Sequence, residues 1–153
     1  MKKFLKLSIL SISLLAIVLV ATGCGKSAKT AEEFKSYMVK EGFTVTDTTA
    51  EIGTDIVKKA YLADNGKFMI EFYQAVSVAE AKNGFTSYKN SFAQYEDSDA
   101  VIKNSQSNNA ERYTLLSQGY YTLISRIDDT MIYTDSPDTY KEDIIKIAQD
   151  LGY

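Results

Sequence analysis

The sequence has no histidine and no tryptophan, and it contains one cysteine, Cys24, and one proline, Pro137. Catalytic triads that use histidine are therefore excluded, as are zinc sites built from histidine and cysteine. A single thiol cannot close an intramolecular disulfide, so the fold must depend on packing alone. Glycine-rich phosphate loops and a Ser-x-x-Lys spacing are also missing from the sequence. Carboxylate chemistry is the main catalytic design that these absences leave open.

The first 24 residues form a basic and then apolar leader that ends in small residues. Lys2, Lys3 and Lys6 precede an apolar stretch over residues 7–20, which is followed by Ala21-Thr22-Gly23-Cys24. This arrangement resembles the signal peptide and lipobox of bacterial prolipoproteins. The resemblance implies that residues 1–23 are removed and that Cys24 becomes the lipidated first residue, carrying diacylglycerol and acyl chains such as palmitate. It also implies anchoring to the cell membrane on its extracytoplasmic face.

An uncleaved membrane span is the alternative interpretation of the leader. A span needs about 20 predominantly apolar residues. The stretch over residues 4–21 falls slightly short and contains one lysine and three serines. The cleaved and lipidated form is therefore favoured.

The chain beyond the leader is acidic. The leader removes three basic residues and no acidic ones, which leaves 14 basic residues against 20 acidic residues, a net charge of −6. Nucleic acids require a basic surface that displaces counterions from phosphates, so we exclude them as partners. The expected contact with the membrane is the lipid anchor itself. No cofactor is predicted.

The mature chain has the length of one domain, with a short tether over residues 24–29 and a domain over residues 30–153. Thr30 with Glu33, and Ser77 with Glu80, form capping boxes that predict helices starting at residues 31 and 78. The second helix carries an apolar and aromatic stripe with spacings of three and four residues. The stripe comprises Val78, Ala81, Phe85, Tyr88, Phe92 and Tyr95. Ser136 as cap and Pro137 as first helical residue predict a last helix.

The remaining segments predict antiparallel strands. Asn65-Gly66 predicts a two-residue turn that places Asp64 opposite Lys67 and Ala63 opposite Phe68. Residues 112–132 read as a meander of three strands, and the polar stretch over residues 94–110 as a loop that holds at most a short edge strand. The expected fold is a single α+β domain with one antiparallel sheet of about five strands packed against two or three helices. The order of the elements also permits two halves, each a helix followed by strands.

Few residues in the domain suggest a site. Tyr120 and Tyr121 are adjacent in a predicted strand, so one of them must point away from the core and is a candidate contact for a partner. Acids such as Glu71, Asp128 and Asp129 would have to meet across a cleft to hydrolyse sugars. The acids around Asp97 lack the ligand spacing of a calcium loop, so no metal site is predicted.

These features favour a non-enzymatic lipoprotein that binds an envelope protein or a small ligand. A cell-envelope hydrolase with paired carboxylates and a passive structural surface lipoprotein are the alternatives. Two carboxylates about 5 to 10 Å apart across a deep groove would favour the hydrolase. A closed surface without a pocket would favour the binding protein or the passive component.

Overall fold

The structure is a computed structural model that describes residues 27–153. The expected signal peptide, the lipidated Cys24 and the first part of the tether lie outside the described residues. Within residues 27–153, no helix is long and apolar enough to cross a membrane.

Seven strands form one antiparallel sheet in the order β1-β2-β3-β7-β6-β5-β4. The strands are β1 (Thr44–Asp47), β2 (Val57–Asp64), β3 (Met69–Ala75), β4 (Val101–Gln106), β5 (Ala110–Ser117), β6 (Tyr120–Ile127) and β7 (Thr130–Pro137). The helices are α1 (Ala31–Lys40), α2 (Thr49–Ile52), α3 (Val78–Phe92) and α4 (Lys141–Asp150). Short 3-10 turns, Ala93–Tyr95 and Asp138–Tyr140, follow α3 and precede α4. The single α+β domain with an antiparallel sheet is thus confirmed.

The predicted numbers of strands and helices were too low. The described chain has seven strands rather than about five, and four α-helices rather than two or three. The two strands beyond the predicted hairpin and meander, β1 and β4, lie at the two edges of the sheet, and every residue of β4 is exposed. Edge strands need no apolar face, so they leave little hydrophobic pattern in the sequence.

The sheet is covered by helices on both faces. Phe34 of α1 and Ile144 of α4 pack with Phe72 and Ile132 in one apolar cluster. Phe85 of α3 packs with Ile124 and other residues in a second cluster. Because successive side chains of a strand point to opposite faces, the two clusters lie on opposite sides of the sheet. We call these sides the α1/α4 face and the α3 face.

Two meanders meet in the middle of the sheet. α1 leads into β1, β2 and β3, and α3 leads into β4, β5, β6 and β7. The last strands of the two meanders, β3 and β7, pair with each other, with Glu71 opposite Tyr133. The order of two helix-then-strand halves that the sequence permits is therefore present in the structure.

The first helix begins and ends as its capping residues predict. Thr30 and Glu33 form both bonds of the capping box. At the other end Gly42 has a φ of 87°, and the amide of Phe43 donates to the carbonyl of Met38 over 2.9 Å. The same cap closes α4, where Gly152 has a φ of 89° and the amide of Tyr153 donates to Ala148.

The hairpin of β2 and β3 differs from its predicted register. Asp64 lies opposite Met69, not Lys67, because the loop holds four residues instead of two. The Asp64 carboxylate accepts a hydrogen bond from the amide of Gly66. The side-chain oxygen Oδ1 of Asn65 accepts from the amides of Lys67 and Phe68. These side-chain bonds widen the turn. A shift of two residues keeps each side chain on its predicted face.

The last helix starts later than predicted. Ser136 is buried in β7 opposite Tyr121, and its hydroxyl bonds that of Thr134, so it is not a helix cap. Pro137 ends the strand, and α4 begins at Lys141 after the 3-10 turn. Ser136 adopts the strand conformation because it is paired within the sheet, where the neighbouring apolar residues are buried.

Candidate functional site

Tyr120 and Tyr121 point to opposite faces of β6, as the period of a strand predicts. Tyr120 is 52% exposed at the start of the strand, whereas Tyr121 is 5% exposed. Tyr120 lies on the α3 face and Tyr121 on the α1/α4 face. Each tyrosine lines a different cavity. The two candidate contact residues are therefore not brought together in one site.

The first cavity lies on the α3 face, beyond the carboxyl end of α3. It has a volume of about 350 Å³, within the range typical of ligand sites. We call it the aromatic cavity, because Phe92, Tyr95 and Tyr120 line it together with Leu115 and Asp135. The sequence predicts Tyr95 as part of the buried stripe of α3. It is instead 43% exposed, because the helix ends at Phe92 and Tyr95 belongs to the following turn.

Asp135 supplies the charge of the aromatic cavity. Its carboxylate accepts a hydrogen bond of 2.7 Å from the Thr122 hydroxyl. Burial raises the pKa of the neighbouring Tyr133 hydroxyl, and the negative charges of Asp135 and Glu71 raise it further. Tyr133 therefore stays neutral over the physiological range. The site combines exposed rings with acceptor oxygens, an arrangement that suits a partner with a flat apolar surface and an N–H or O–H donor.

The second cavity lies on the α1/α4 face, between the β4 edge and the start of α4. Its volume is about 440 Å³. Lys103 of β4, Arg112 of β5 and Lys141 of α4 line it, and no acidic residue does so among the lining residues that the structure describes. We call it the basic cavity. Three cations thus converge in a chain whose overall charge is negative.

Arg112 is the unusual member of the basic cavity. Its Nε and one terminal nitrogen are buried, and neither has a hydrogen-bond partner within residues 27–153. A buried N–H group without a partner costs about 1–3 kcal/mol. Arg126, the other arginine of the described chain, instead bonds acceptors of the protein itself. Its Nε donates to the Glu111 carboxylate over 2.7 Å, and its Nη1 donates to the carbonyl of Asp128 over 2.9 Å.

Tyr121 joins the charged and apolar parts of the basic cavity. The Lys141 ammonium lies 6.0 Å from the centroid of the Tyr121 ring. Burial raises the pKa of the Tyr121 hydroxyl, the positive charge of Arg112 and a hydrogen bond with Thr114 lower it, and the negative charge of Glu142 raises it. Val101, Leu116 and Ile145 add an apolar wall. The cavity therefore offers positive charge on one side and apolar surface on the other.

The acids that a hydrolase would require do not face each other across a cleft. Asp128 and Asp129 line one cavity of about 410 Å³, but they are adjacent in the turn between β6 and β7, and Glu71 does not line that cavity. The Glu71 carboxylate bonds the hydroxyl of Tyr73 on the α3 face. The Asp129 carboxylate pairs with Lys58 at 3.0 Å. The backbone amide of Ala75, which is four residues from Glu71 along β3, donates to the backbone carbonyl of Asp129. Strand geometry separates the two backbones by about 13 Å. In the described part of the chain, no group of three or more potential ligands is placed to hold a metal ion.

The basic cavity was not predicted from the sequence, because its cations are far apart in the chain. The sheet register brings them together, with Ser105 opposite Arg112 and Lys103 opposite Thr114. Lys103 lies in the stretch that the sequence predicts as a polar loop. An arginine in a strand of buried residues was the one available signal, since such a group needs a partner.

Comparison with known proteins adds no assignment to either cavity. No protein family model, no curated protein and no solved structure matches this chain.

Proposed function

We propose that this protein is a lipid-anchored bacterial lipoprotein on the extracytoplasmic face of the cell membrane, and that its domain binds an envelope protein or a small ligand without catalysing a reaction. The anchor is supported by the leader that ends in Ala21-Thr22-Gly23-Cys24. The first helix starts at Ala31, so only a short tether would separate the domain from the bilayer.

The observation that carries the binding role is the aromatic cavity around Tyr120. Half of this tyrosine is exposed in a concave site next to Phe92 and Tyr95. Tyrosines placed in this way are typical of contacts with partners, because the ring offers apolar area and the hydroxyl a hydrogen bond. Asp135 adds the acceptor oxygens that would orient the partner.

The geometry favours binding over the two alternatives. A glycoside hydrolase needs carboxylates on opposing walls. Asp135 is the one carboxylate among the described residues that line the aromatic cavity. A passive surface component needs no cavity, whereas the described domain has three in the size range of ligand sites, of about 440, 350 and 410 Å³.

The test of the binding role is a pull-down from native membranes with the full chain. We expect Tyr120→Ala to reduce capture of the partner at least tenfold. Val39→Ala is the control, since Val39 is 55% exposed on α1, away from the cavity. Tyr120→Ala should unfold at nearly the parent urea concentration, whereas Tyr121→Ala should lose about 3 kcal/mol. Unchanged capture by a folded Tyr120→Ala protein would contradict the proposed contact.

The anchor is tested separately by Cys24→Ala. Removal of the thiol should release the chain from the membrane fraction or leave it unprocessed, because the thiol carries the lipid. A variant of mature length that remained in the membrane would refute the anchor. The two tests fail independently of each other.

A further inference from the structure

We propose that the basic cavity is a second binding site, and that it takes a small soluble anion with a carboxylate or phosphate group next to an apolar group. This site lies on the opposite face of the sheet from the aromatic cavity. The anion site is independent of the aromatic cavity, and its preference for a soluble anion rests on the lipid anchor proposed above.

The first argument is the charge of the cavity. Lys103, Arg112 and Lys141 approach it from β4, β5 and α4. The mature chain has a net charge of −6, so a cavity lined by three basic residues and no acidic one differs in sign from the chain as a whole. Lys141 does have an acidic neighbour, Glu142, but this carboxylate is 4.0 Å away and its side chain is 87% exposed. The cations therefore face the cavity largely uncompensated, and an anion would relieve their mutual repulsion.

The second argument is the state of the Arg112 guanidinium. Lys58, Lys59 and Lys146 each contact a carboxylate within 3.0 Å. Arg112 has two buried nitrogens without a partner in the part of the chain that the structure describes. The guanidinium fork matches the two oxygens of a carboxylate or phosphate. A bound anion would pair with the Arg112 guanidinium, which has no carboxylate partner in the described chain.

The third argument concerns the rest of the ligand. Val101, Leu116 and Ile145 line the same cavity, and Val101 is 49% exposed. A purely inorganic anion would leave this wall in contact with water. A ligand with an apolar group would cover it and remove apolar surface from water, which favours binding.

The position of the cavity favours a soluble anion over a lipid headgroup. The carbonyl of Ser27 lies against Gly152, just beyond the end of α4, so the chain enters the domain there. Lys141 is at the start of α4, and the ten residues of this helix span about 15 Å. The expected anchor and the cavity are therefore at opposite ends of the helix.

The experiment is calorimetric titration of the full chain in phosphatidylcholine nanodiscs. The probes are benzoate and phenyl phosphate, with benzyl alcohol as the uncharged control. We expect at least one anion to bind, and benzyl alcohol to bind at least tenfold more weakly. Arg112→Met should weaken anion binding at least tenfold, and Lys103→Met should weaken it as well. Lys67→Met removes the same charge from an exposed loop and should leave binding unchanged.

Three results would overturn the proposal. The first is that neither anion binds to the wild-type chain at millimolar concentration. The second is that folded Arg112→Met or, if that variant does not fold, Lys103→Met binds the anions as the wild type does. The third is that addition of phosphatidylglycerol to the nanodiscs weakens anion binding tenfold in the wild type, since a headgroup would then occupy the site.

Discussion

At the scale of single residues, the two arginines of the described domain show two ways of burying the same side chain. Arg126 is 1% exposed and bonds the Glu111 carboxylate together with two backbone carbonyls. Arg112 lines a cavity, and two of its nitrogens are buried without a hydrogen-bond acceptor in residues 27–153. A paired buried charge holds its surroundings in place, whereas an unused donor costs free energy in the unliganded protein.

This contrast predicts different effects on stability. Arg126→Met should lower the free energy of unfolding by about 3 kcal/mol, because it leaves Glu111 and two carbonyls without their donor. Arg112→Met should leave it unchanged or raise it by about 1–3 kcal/mol, because no bond within the described chain is lost and two unpartnered buried donors are removed. Urea denaturation of both variants measures the difference. Equal losses for the two variants would mean that Arg112 has a structural role like that of Arg126.

Residue-scale reasoning from the sequence succeeded where the chemistry is local. The capping pair Thr30 and Glu33 bonds as predicted, and Tyr120 and Tyr121 alternate across β6. Predictions from local sequence were wrong or missing where the conformation depends on a residue that is distant in the chain. Ser136 lies in a strand because Tyr121 is opposite it, and the cations around Arg112 meet only through the sheet register. No spacing in the sequence encodes either of these contacts.

At the scale of elements, the central and edge strands of the sheet differ in how many strands they pair with and in how far they are buried. β6 and β7 pair on both sides and are buried on both faces by the helices. β4 pairs with β5 alone, and all of its residues are exposed. This difference also explains why the central meander was predicted and β4 was not, because burial on one or both faces produces the apolar pattern that identifies a strand.

The same difference predicts the order of local opening. The amides of β4 should exchange with solvent much faster than those of β6, since fewer contacts must break to expose them. Hydrogen exchange followed by mass spectrometry or NMR measures both strands in one experiment. Phenyl phosphate should slow exchange in β4 if the basic cavity binds it. Protection of β4 equal to that of β6 would contradict this account of the edge.

At the scale of the whole molecule, buried tyrosines set the response to pH. Burial raises the pKa of Tyr73, Tyr113 and Tyr153 in the folded protein, and hydrogen bonds to Glu71 and Glu96 raise those of Tyr73 and Tyr113 further. In the unfolded chain, a tyrosine has a pKa of about 10. Below that pH both states are neutral. Above it the unfolded state loses protons first, so stability is lost as pH rises.

We therefore expect the free energy of unfolding to stay nearly constant between about pH 6 and 8 and to fall above about pH 10. The flat region follows because the sequence has no histidine. Urea denaturation as a function of pH tests both parts, and tyrosinate absorbance should rise in step with unfolding. Ionisation of these tyrosines near pH 10 in a chain that remains folded would show that their burial is wrongly assigned.

The pairing of β3 with β7 links folding of the domain to the order in which the chain is synthesised. Glu71 of β3 pairs with Tyr133 of β7, and α3 with three further strands lies between them in the chain. Until β7 is made, one side of β3 is an open edge that another chain can pair with. Contacts between such distant segments also form slowly. The domain should therefore fold only after its last strand is available, and molecules halted earlier should be prone to aggregate or to be degraded.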